Sequence, residues 1–310
     1  MFHYKIAAGV YLSILPLLMF KCAAATNEER SSTQHSLTVN DLERTFLVHT
    51  PAGNKDIINA PLMIVLHGGL GNAAHAEKAY GMNGIADSEK FLVAYPDGIG
   101  GRLRKMKNRR TWNAGNCCGP AAKRNVDDVG FIEEMIEYIA VNYKIDPTRV
   151  YITGMSNGAM MAYRFACERP DKVAAIIPVA GTLAIDDFDN GKNVAVLHIH
   201  GDMDQNVPFE GGKGSKSVSG VMHRSVPDTI DLITRARQCS SSSKEDLINN
   251  AHLIAYNCLD GAPVELITIK GGGHSWPGGK KRGTINSTSQ SISASRLAWD
   301  FAKKFSTKLP

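Results

Sequence analysis

The sequence predicts an α/β protein, in which a mostly parallel central sheet carries helices on both faces. Short continuous apolar runs recur along the chain, as expected of strands that are buried on both sides. These runs alternate with segments whose apolar residues recur at helical spacing. Hydrophobic residues make up 43% of the 310 residues, so a large core can form. No Pro- or Ser-rich linker interrupts the pattern, which predicts a single domain.

Six mostly apolar runs are predicted to be strands, and three segments are predicted to be helices. The runs lie at 61–66, 91–95, 149–153, 173–180, 194–200 and 264–269. The helices are expected after the capping residues at 125–128, at 159–169 and at 292–305. In a sheet of this kind ligands bind beyond the carboxyl ends of the strands. The loops that follow the six runs are therefore the candidate functional segments.

The N-terminus has the pattern of a secretory signal peptide. Lys5 provides a basic start, residues 6–20 are mostly apolar, and Ala23-Ala24-Ala25 provides the small residues of a cleavage site. The apolar stretch is shorter than the roughly 20 residues that a membrane-spanning helix needs, so we expect no stable membrane anchor. The predicted organisation is a signal peptide at 1–25, a polar segment at 26–40 and one folded domain at 41–310.

The net charge of +5 is modest for this length and does not indicate a nucleic-acid partner. Residues 102–110 form a dense basic run, which is typical of a solvated surface; if it borders a pocket, it would favour acidic or phenolate substrates. Few aromatic residues are interleaved with this run, so a single-stranded nucleic-acid surface is not expected. Asn286-Ser287-Thr288 is a glycosylation sequon.

The segment Gly154-Met155-Ser156-Asn157-Gly158 follows a predicted strand and precedes a predicted helix. In that setting G-x-S-x-G is typical of a nucleophile elbow, a tight turn that exposes a serine hydroxyl. The N-terminus of the following helix, with the Asn157 N–H, would face the negative charge that develops on a substrate. We predict Ser156 as a nucleophile; a serine that only caps the helix is the alternative.

A serine nucleophile needs a base, and the base needs a carboxylate to orient it. His274 lies in a glycine-rich loop directly after the last predicted strand, and Asp202 and Asp204 follow the strand that ends at His200. We favour Asp204 as the acid, because Asp202 is close enough to the strand end to serve the turn. The order Ser156, Asp204, His274 is the order found in α/β-hydrolases.

The exit of the first predicted strand, His67-Gly68-Gly69, is expected to supply a second oxyanion donor beside Asn157, and we predict the Gly69 N–H. Gly69-x-Gly71, with Asp97 after the next strand, also resembles a dinucleotide fingerprint. That alternative leaves the serine and histidine loops unexplained, so we expect no cofactor.

No metal is expected either. His198 and His200 point to the same face of a predicted strand, but no third ligand stands at a convincing spacing. Cys117 and Cys118 are adjacent, which is too close for a zinc-type pair.

A secreted mature chain would carry five cysteines, so one must lack a partner within the chain. Cys239 and Cys258 flank a polar stretch and are the first candidates for a bridge. Cys117 or Cys118 with Cys167 would form the second. The alternative is that Cys167 is a small buried residue on a helix.

Several motifs together resemble the secreted polyhydroxybutyrate depolymerase and feruloyl esterase group of α/β-hydrolases, over about Leu42 to Phe305. They are Leu66-His67-Gly68-Gly69, Trp112 with Cys117-Cys118-Gly119, the segment at 125–131, Arg149-Val150-Tyr151 before the serine pentapeptide, His200-Gly201 with Asp204 and Val207-Pro208, and the segment at 273–278.

The resemblance implies Ser156 as nucleophile, Asp204 as orienting acid and His274 as base, with Gly69 and Asn157 at the oxyanion hole. It also supports a Cys239–Cys258 bridge. Many depolymerases of the solid polyester carry a linker and a polymer-binding domain, which this sequence does not show. Many relatives have Cys where Gly69 stands. Both departures favour soluble or carbohydrate-linked esters.

We therefore expect a secreted serine esterase, extracellular or periplasmic, that hydrolyses feruloyl or acetyl esters of plant polysaccharides. A polyhydroxybutyrate depolymerase or 3-hydroxybutyrate oligomer hydrolase is the alternative within the same chemistry. The non-enzymatic alternative is a polymer-binding module that has kept a hydrolase scaffold. The sequence leaves the oligomeric state open.

Overall fold

A computed structural model of the chain describes residues 1, 32–51, 58–101, 103, 106–247, 250–280 and 292–307. Residues 2–25 of the predicted signal peptide and the sequon lie outside these residues, as do positions 102, 104 and 105 of the basic run. Among the described residues, none of the helices combines the length and the apolar character that a membrane crossing requires.

Strands and helices alternate through the middle of the described chain. The strands are β1 (Thr33–Val39), β2 (Leu42–His49), β3 (Ala60–Leu66), β4 (Leu92–Pro96), β5 (Ile99–Gly100), β6 (Arg110–Thr111), β7 (Ile145–Met155), β8 (Ala175–Val179), β9 (Ala195–Gly201), β10 (Ser240–Leu247), β11 (Ala251–Asn257) and β12 (Val264–Ile269). The helices are α1 (Ala73–Tyr80), α2 (Met82–Glu89), α3 (Gly119–Lys123), α4 (Asp128–Tyr143), α5 (Asn157–Glu168), α6 (Val226–Ala236) and α7 (Ala294–Ala302).

Ten of these strands form one sheet, in the order β1-β2-β4-β3-β7-β8-β9-β12-β11-β10. The six strands from β4 to β12 in that order are parallel. The two strands at each edge are antiparallel to their neighbours. The short strands β5 and β6 pair separately. The predicted mostly parallel sheet is therefore confirmed.

The core consists of two apolar clusters, one on each face of the sheet. Leu62 and Ile64 of β3 pack in the cluster that includes α4, α5 and α6. Met63 and Val65 of the same strand pack in the cluster that includes α1, α2 and α7. Successive strand residues point to opposite faces, so both sets are buried and β3 reads as one continuous apolar run.

The sheet begins earlier than the sequence predicts. β1 lies within the predicted polar segment at 26–40, and it pairs with β2 to form the sheet edge. Because an edge strand has a neighbour on one side only, most of its side chains can stay exposed or half-buried, as they do in β1. A polar sequence can therefore form this strand, and the predicted domain start at 41 falls inside the β1–β2 hairpin.

The parallel strands bring the predicted site residues to one edge of the sheet. The loops after β3, β7, β9 and β12 leave from the carboxyl ends of parallel neighbours. These loops carry Gly69, Ser156, Asp204 and His274, respectively.

Candidate active site

Ser156 lies at the sharp turn between β7 and α5, with φ 56° and ψ −120°. A non-glycine residue with positive φ is strained, and such strain persists only where the surroundings enforce it. Here the Ser156 N–H donates to the Val179 carbonyl at 2.8 Å. A Cβ on Gly158 would lie 2.5 Å from the Leu66 carbonyl oxygen, and one on Gly154 would lie 2.8 Å from the Leu66 side chain. Both glycines are required because the turn packs against the end of β3.

His274 is held by the loop that follows β9. Its Nδ1 lies 2.7 Å from Asp204 Oδ2. An ionised carboxylate only accepts hydrogen bonds, so Nδ1 is the donor, and in a neutral imidazole Nε2 then carries the lone pair that can take a proton. The Asp204 side chain is fully buried behind His274, whose side chain is 13% exposed. His274 and Ser156 line the same cavity.

The Asp204 carboxylate has hydrogen-bond donors around both oxygens. Oδ1 accepts from the backbone N–H groups of Asn206 at 2.8 Å and Val207 at 2.9 Å. Oδ2 faces His274 and, at 3.5 Å, Nε2 of His200. Burial acts to raise the pKa of Asp204, but the electrostatic effect of the neighbouring His200 and His274 outweighs burial and holds that pKa well below its usual range. The carboxylate is therefore ionised at neutral pH.

Asp202 has a different partner. Its Oδ1 accepts the backbone N–H of Gly271 at 2.6 Å, and the Met203 N–H donates to the Gly272 carbonyl at 2.9 Å. These bonds join the acid loop to the loop that carries His274. The structure thus brings Asp204, and not Asp202, to the histidine.

A buried chain of side chains runs from the core to Asp204. The Tyr163 hydroxyl lies 2.6 Å from His198 Nδ1, His198 Nε2 lies 3.0 Å from His200 Nδ1, and His200 Nε2 lies 2.9 Å from the Val207 carbonyl. A carbonyl only accepts, so with neutral rings each donor is assigned: Tyr163 donates to His198, His198 to His200, and His200 to Val207. Burial lowers the pKa of His198 well below its ordinary value, consistent with a neutral ring.

The histidine pair that the sequence analysis weighed as metal ligands is thus engaged in hydrogen bonds. Among the described residues, no group of three or more His, Cys, Asp or Glu side chains is arranged to hold a metal ion. The contact between His200 and Asp204 was missed from the sequence. The available signal was the pair His198 and His200, which occupy alternate positions of the strand that precedes Asp204.

The loop after β3 is fixed by His67, which is fully buried. Its Nδ1 lies 2.8 Å from the Gly68 carbonyl and is the donor, and its Nε2 accepts the Gly98 N–H at 3.0 Å. Burial lowers the pKa of His67 to about 4, so the ring is neutral in this arrangement. Gly68 also donates its N–H to the Tyr80 hydroxyl at 3.4 Å. These bonds fix the course of the chain into Gly69.

The two predicted oxyanion residues are neighbours in space. A Cβ on Gly69 would lie 3.7 Å from the Asn157 Cβ. Asn157 is the first residue of α5, so its N–H has no acceptor within the helix. Its side chain accepts the Trp112 N–H at 2.7 Å and donates to the Trp112 carbonyl at 3.1 Å. Trp112 in turn donates its ring N–H to the His67 carbonyl at 2.9 Å. Sequence reasoning did not find this link through Trp112.

Two aromatic residues, Tyr80 and Trp276, form part of the wall of the cavity that contains Ser156 and His274. The rings of Tyr80 and Trp276 stack with centroids 4.3 Å apart and planes 7° apart. Ser295 fixes both residues, because it accepts the Trp276 ring N–H at 3.1 Å and donates to the Tyr80 carbonyl at 2.7 Å. Of the basic run, none of the residues that the structure describes, 103 and 106–110, lines this cavity.

One of the two expected disulfide pairings differs from the pairing in the structure. The structure joins Cys239 to Cys258 and joins Cys117 to its neighbour Cys118. Cys167 is a buried free thiol on α5. The predicted bridge from Cys117 or Cys118 to Cys167 is therefore wrong. Cys167 packs as a small residue of the helix that follows the serine turn, which was the alternative interpretation.

Serine, histidine and carboxylate loops that meet at one edge of a parallel sheet covered on both faces are the design of α/β-hydrolases, and the chain has this fold. More specifically, residues 54–229 match the sequence profile of the phospholipase/carboxylesterase family, to which the chain belongs. It is a carboxylic ester hydrolase, and the non-enzymatic alternative is set aside.

Two relatives are a feruloyl esterase and a polyhydroxyalkanoate depolymerase, the two kinds of enzyme in the group that the sequence motifs resemble. The chain is 30% identical over 270 residues to feruloyl esterase B of Piromyces equi, covering 85% of this chain and 45% of that protein. It is 35% identical over 133 residues to poly(3-hydroxyalkanoate) depolymerase C of Paucimonas lemoignei, covering 43% of this chain and 30% of that protein. The chain thus spans less than half the length of both relatives.

A solved structure shares the fold. The acetyl xylan esterase from Aspergillus awamori superposes with a TM-score of 0.57 at 15% identity, covering 78% of this chain and 94% of that chain.

Proposed function

We propose that the protein is a serine esterase in which Ser156 is the nucleophile, His274 the general base and Asp204 the carboxylate that orients it. One observation carries this proposal: the 2.7 Å bond from His274 Nδ1 to Asp204 leaves Nε2 as the acceptor on a side chain that shares a cavity with the strained serine. The other two elements of the elbow, the glycines at 154 and 158, are required by packing.

In this mechanism His274 Nε2 takes the proton of the Ser156 hydroxyl while the serine oxygen attacks the ester carbonyl carbon. The N–H groups of Gly69 and Asn157 donate to the resulting oxyanion. His274 then gives its proton to the leaving alkoxide, and the alcohol departs from an acyl-enzyme. His274 next takes a proton from water while the water oxygen attacks the acyl carbon. The bond from the acyl carbon to Ser156 Oγ then breaks, His274 returns the proton to Oγ, and the carboxylic acid departs.

The substrates we favour are feruloyl or acetyl esters of plant polysaccharides. Similarity to the feruloyl esterase extends over twice as much of this chain as similarity to the depolymerase. The stacked rings of Tyr80 and Trp276 also offer a planar aromatic acyl group a surface in the cavity of Ser156. A depolymerase or oligomer hydrolase is the second candidate, favoured by the 35% identity to the depolymerase over 133 residues.

We also infer that the enzyme works outside the cytoplasm. The pattern at 1–25 supports export, and the Cys239–Cys258 bridge is of a kind that persists in oxidising compartments.

The test compares hydrolysis of methyl ferulate with hydrolysis of soluble 3-hydroxybutyrate oligomers, with Ser156→Ala as the blank. We expect serine-dependent release of ferulate and little oligomer cleavage. In the same assay Trp276→Leu should lower kcat/KM for methyl ferulate more than for methyl acetate, because acetate does not need the aromatic wall. Preferential oligomer cleavage by the wild type would favour the second candidate.

A further inference from the structure

A second cavity has no part in the mechanism above. Its walls come from three separate loops: Asn116 and Cys117, the segment at 182–185 and the segment at 221–224. We call it the Arg224 cavity. Among the described residues that line it, none carries a carboxylate.

The Arg224 cavity lies next to the predicted triad. Its wall begins at Thr182, directly after Gly181, and a Cβ on Gly181 would lie 2.3 Å from the Ser156 carbonyl oxygen. On another wall, His223 is close enough to His274 and Asp204 for their charges to act on it. Residues of this wall thus neighbour the Ser156 main chain on one side and the His274–Asp204 pair on the other.

Two residues of the wall, His223 and Arg224, carry side-chain nitrogen atoms that lack acceptors. Arg224 Nη2 donates to the carbonyl oxygens of Asp186 at 3.1 Å and Ile185 at 3.4 Å, which fixes the guanidinium. Arg224 Nη1 is shielded from water and has no hydrogen-bond partner among the described residues, and the same holds for Nε2 of His223. Burial lowers the pKa of His223, so this ring is mostly neutral at neutral pH. The positive charge on this wall therefore comes from Arg224.

A buried donor without an acceptor costs folding free energy, and a charged donor costs more. The guanidinium is always protonated, so Arg224 cannot escape this cost by losing a proton. A carboxylate is the acceptor that suits it best, because its two oxygens match the fork of the guanidinium and carry the opposite charge. A neutral His223 can donate a further hydrogen bond to the same anion.

We propose that the Arg224 cavity is a substrate subsite that binds a free carboxylate on the ester. The proposal rests on the proposed function, since it requires Ser156 to attack the same substrate. Half-esters of dicarboxylic acids carry this group in the acyl part, whereas esters formed by the hydroxyl group of a carboxylate-bearing alcohol carry it in the leaving group. Arg224 recognises the same chemistry in both.

The test uses two matched substrate pairs, each an acid and its neutral methyl ester. 4-Nitrophenyl hydrogen glutarate and 4-nitrophenyl methyl glutarate place the group in the acyl part. 4-Acetoxybenzoate and methyl 4-acetoxybenzoate place it in the leaving group. For the pair that fits the cavity, Arg224→Met should lower the acid-to-neutral ratio of kcat/KM by about tenfold or more, as expected for loss of a charge-assisted bond. Arg224→Lys should retain part of the ratio.

Arg235→Met is the matched control, because it removes the same charge from an exposed position on α6 and should leave both ratios unchanged. An unchanged ratio for both pairs in Arg224→Met would overturn the proposal. Equal losses of kcat/KM for the acid and for its neutral methyl ester would also overturn the proposal, since Arg224 would then only hold the loop at 185–186. If Arg224→Met unfolds, His223→Phe must lower the same ratio, and an unchanged ratio there counts against the subsite.

A binding measurement separates this proposal from the triad assignment. Monomethyl glutarate should bind to Ser156→Ala, measured by calorimetry, and Arg224→Met in that background should weaken the binding about tenfold or more. Turnover that persists in Ser156→Ala would contradict the proposed function and leave this binding result intact. Binding that does not depend on Arg224 would contradict the subsite alone.

Discussion

Replacing Asp204 with asparagine should disable His274 without altering the shape of the acid loop. Asp204 Oδ1 accepts two backbone N–H groups, from Asn206 and Val207, while Oδ2 accepts from His274. An asparagine must keep its oxygen toward the two backbone donors, because turning the amide would set its NH₂ group against them. The NH₂ group therefore faces His274, and Nδ1 must accept. The ring then carries its proton on Nε2 and cannot take the proton of Ser156.

We expect kcat for Asp204→Asn to fall about ten-thousandfold, the scale measured for this wrong tautomer in another serine hydrolase. KM should change little, because the carboxylate is buried behind His274 and does not line the substrate cavity. The assay is steady-state hydrolysis of 4-nitrophenyl acetate near neutral pH, with urea unfolding to show that the variant is folded.

Asp202→Asn is the matched control. It makes the same chemical change two residues away, at a carboxylate that accepts from the Gly271 N–H. A loss of less than about tenfold is expected there, because His274 keeps its tautomer. The reasoning is refuted if Asp204→Asn loses less than about a hundredfold, or if Asp202→Asn loses more than Asp204→Asn.

Three further predictions concern folding free energy, and urea unfolding measures each. Gly158→Ala should cost about 3 kcal/mol, because its Cβ would lie 2.5 Å from a backbone oxygen at the end of β3. Gly84→Ala, with nothing within 4 Å, should be neutral or slightly stabilising, and equal losses in the two variants would contradict this. Tyr163→Phe should cost about 1–3 kcal/mol, since buried His198 Nδ1 loses its donor; wild-type stability would argue against the hydrogen-bonded chain. The pKa of His67 is about 4 when folded and near 6.5 when unfolded, so the unfolded state binds a proton first as the pH falls. Stability is fully present above pH 6.5 and should drop by about 3 kcal/mol by pH 4, and a flat profile over that window would contradict the burial of this ring.

The parallel centre of the sheet could be predicted from the sequence because both of its faces are buried. Two-sided burial favours apolar residues at successive positions, so the run at 61–66 lies within β3, where every residue is buried. The run at 264–269 coincides with β12, in which only Glu265 and Thr268 are polar and both are half-buried. Edge strands lack this signal. β10 has the sequence SSSSKEDL, with a single apolar residue, and it is held by backbone pairing with β11. The sheet was therefore longer at both ends than the periodicity indicated.

The candidate site likewise contains residues that the sequence indicates and contacts that it does not. Ser156 and His274 lie in glycine-rich motifs whose local conformation the chemistry requires, so the sequence indicates them directly. Other contacts join segments that are remote along the chain, such as the bonds between Asn157 and Trp112 or the approach of His200 to Asp204. A local sequence pattern does not show how close two remote segments of the chain lie in the fold. The fold has to bring the loops together before these contacts can be recognised.

The central claim is that Ser156 is an activated nucleophile, and labelling by a fluorophosphonate tests it most directly. Intact enzyme is treated with the probe and digested, and the modified peptide is identified by mass spectrometry. We predict one modification at Ser156, strongly slowed in Asp204→Asn and absent in Ser156→Ala, together with loss of ester hydrolysis. Labelling at another residue, or wild-type turnover by a folded Ser156→Ala protein, would contradict the account.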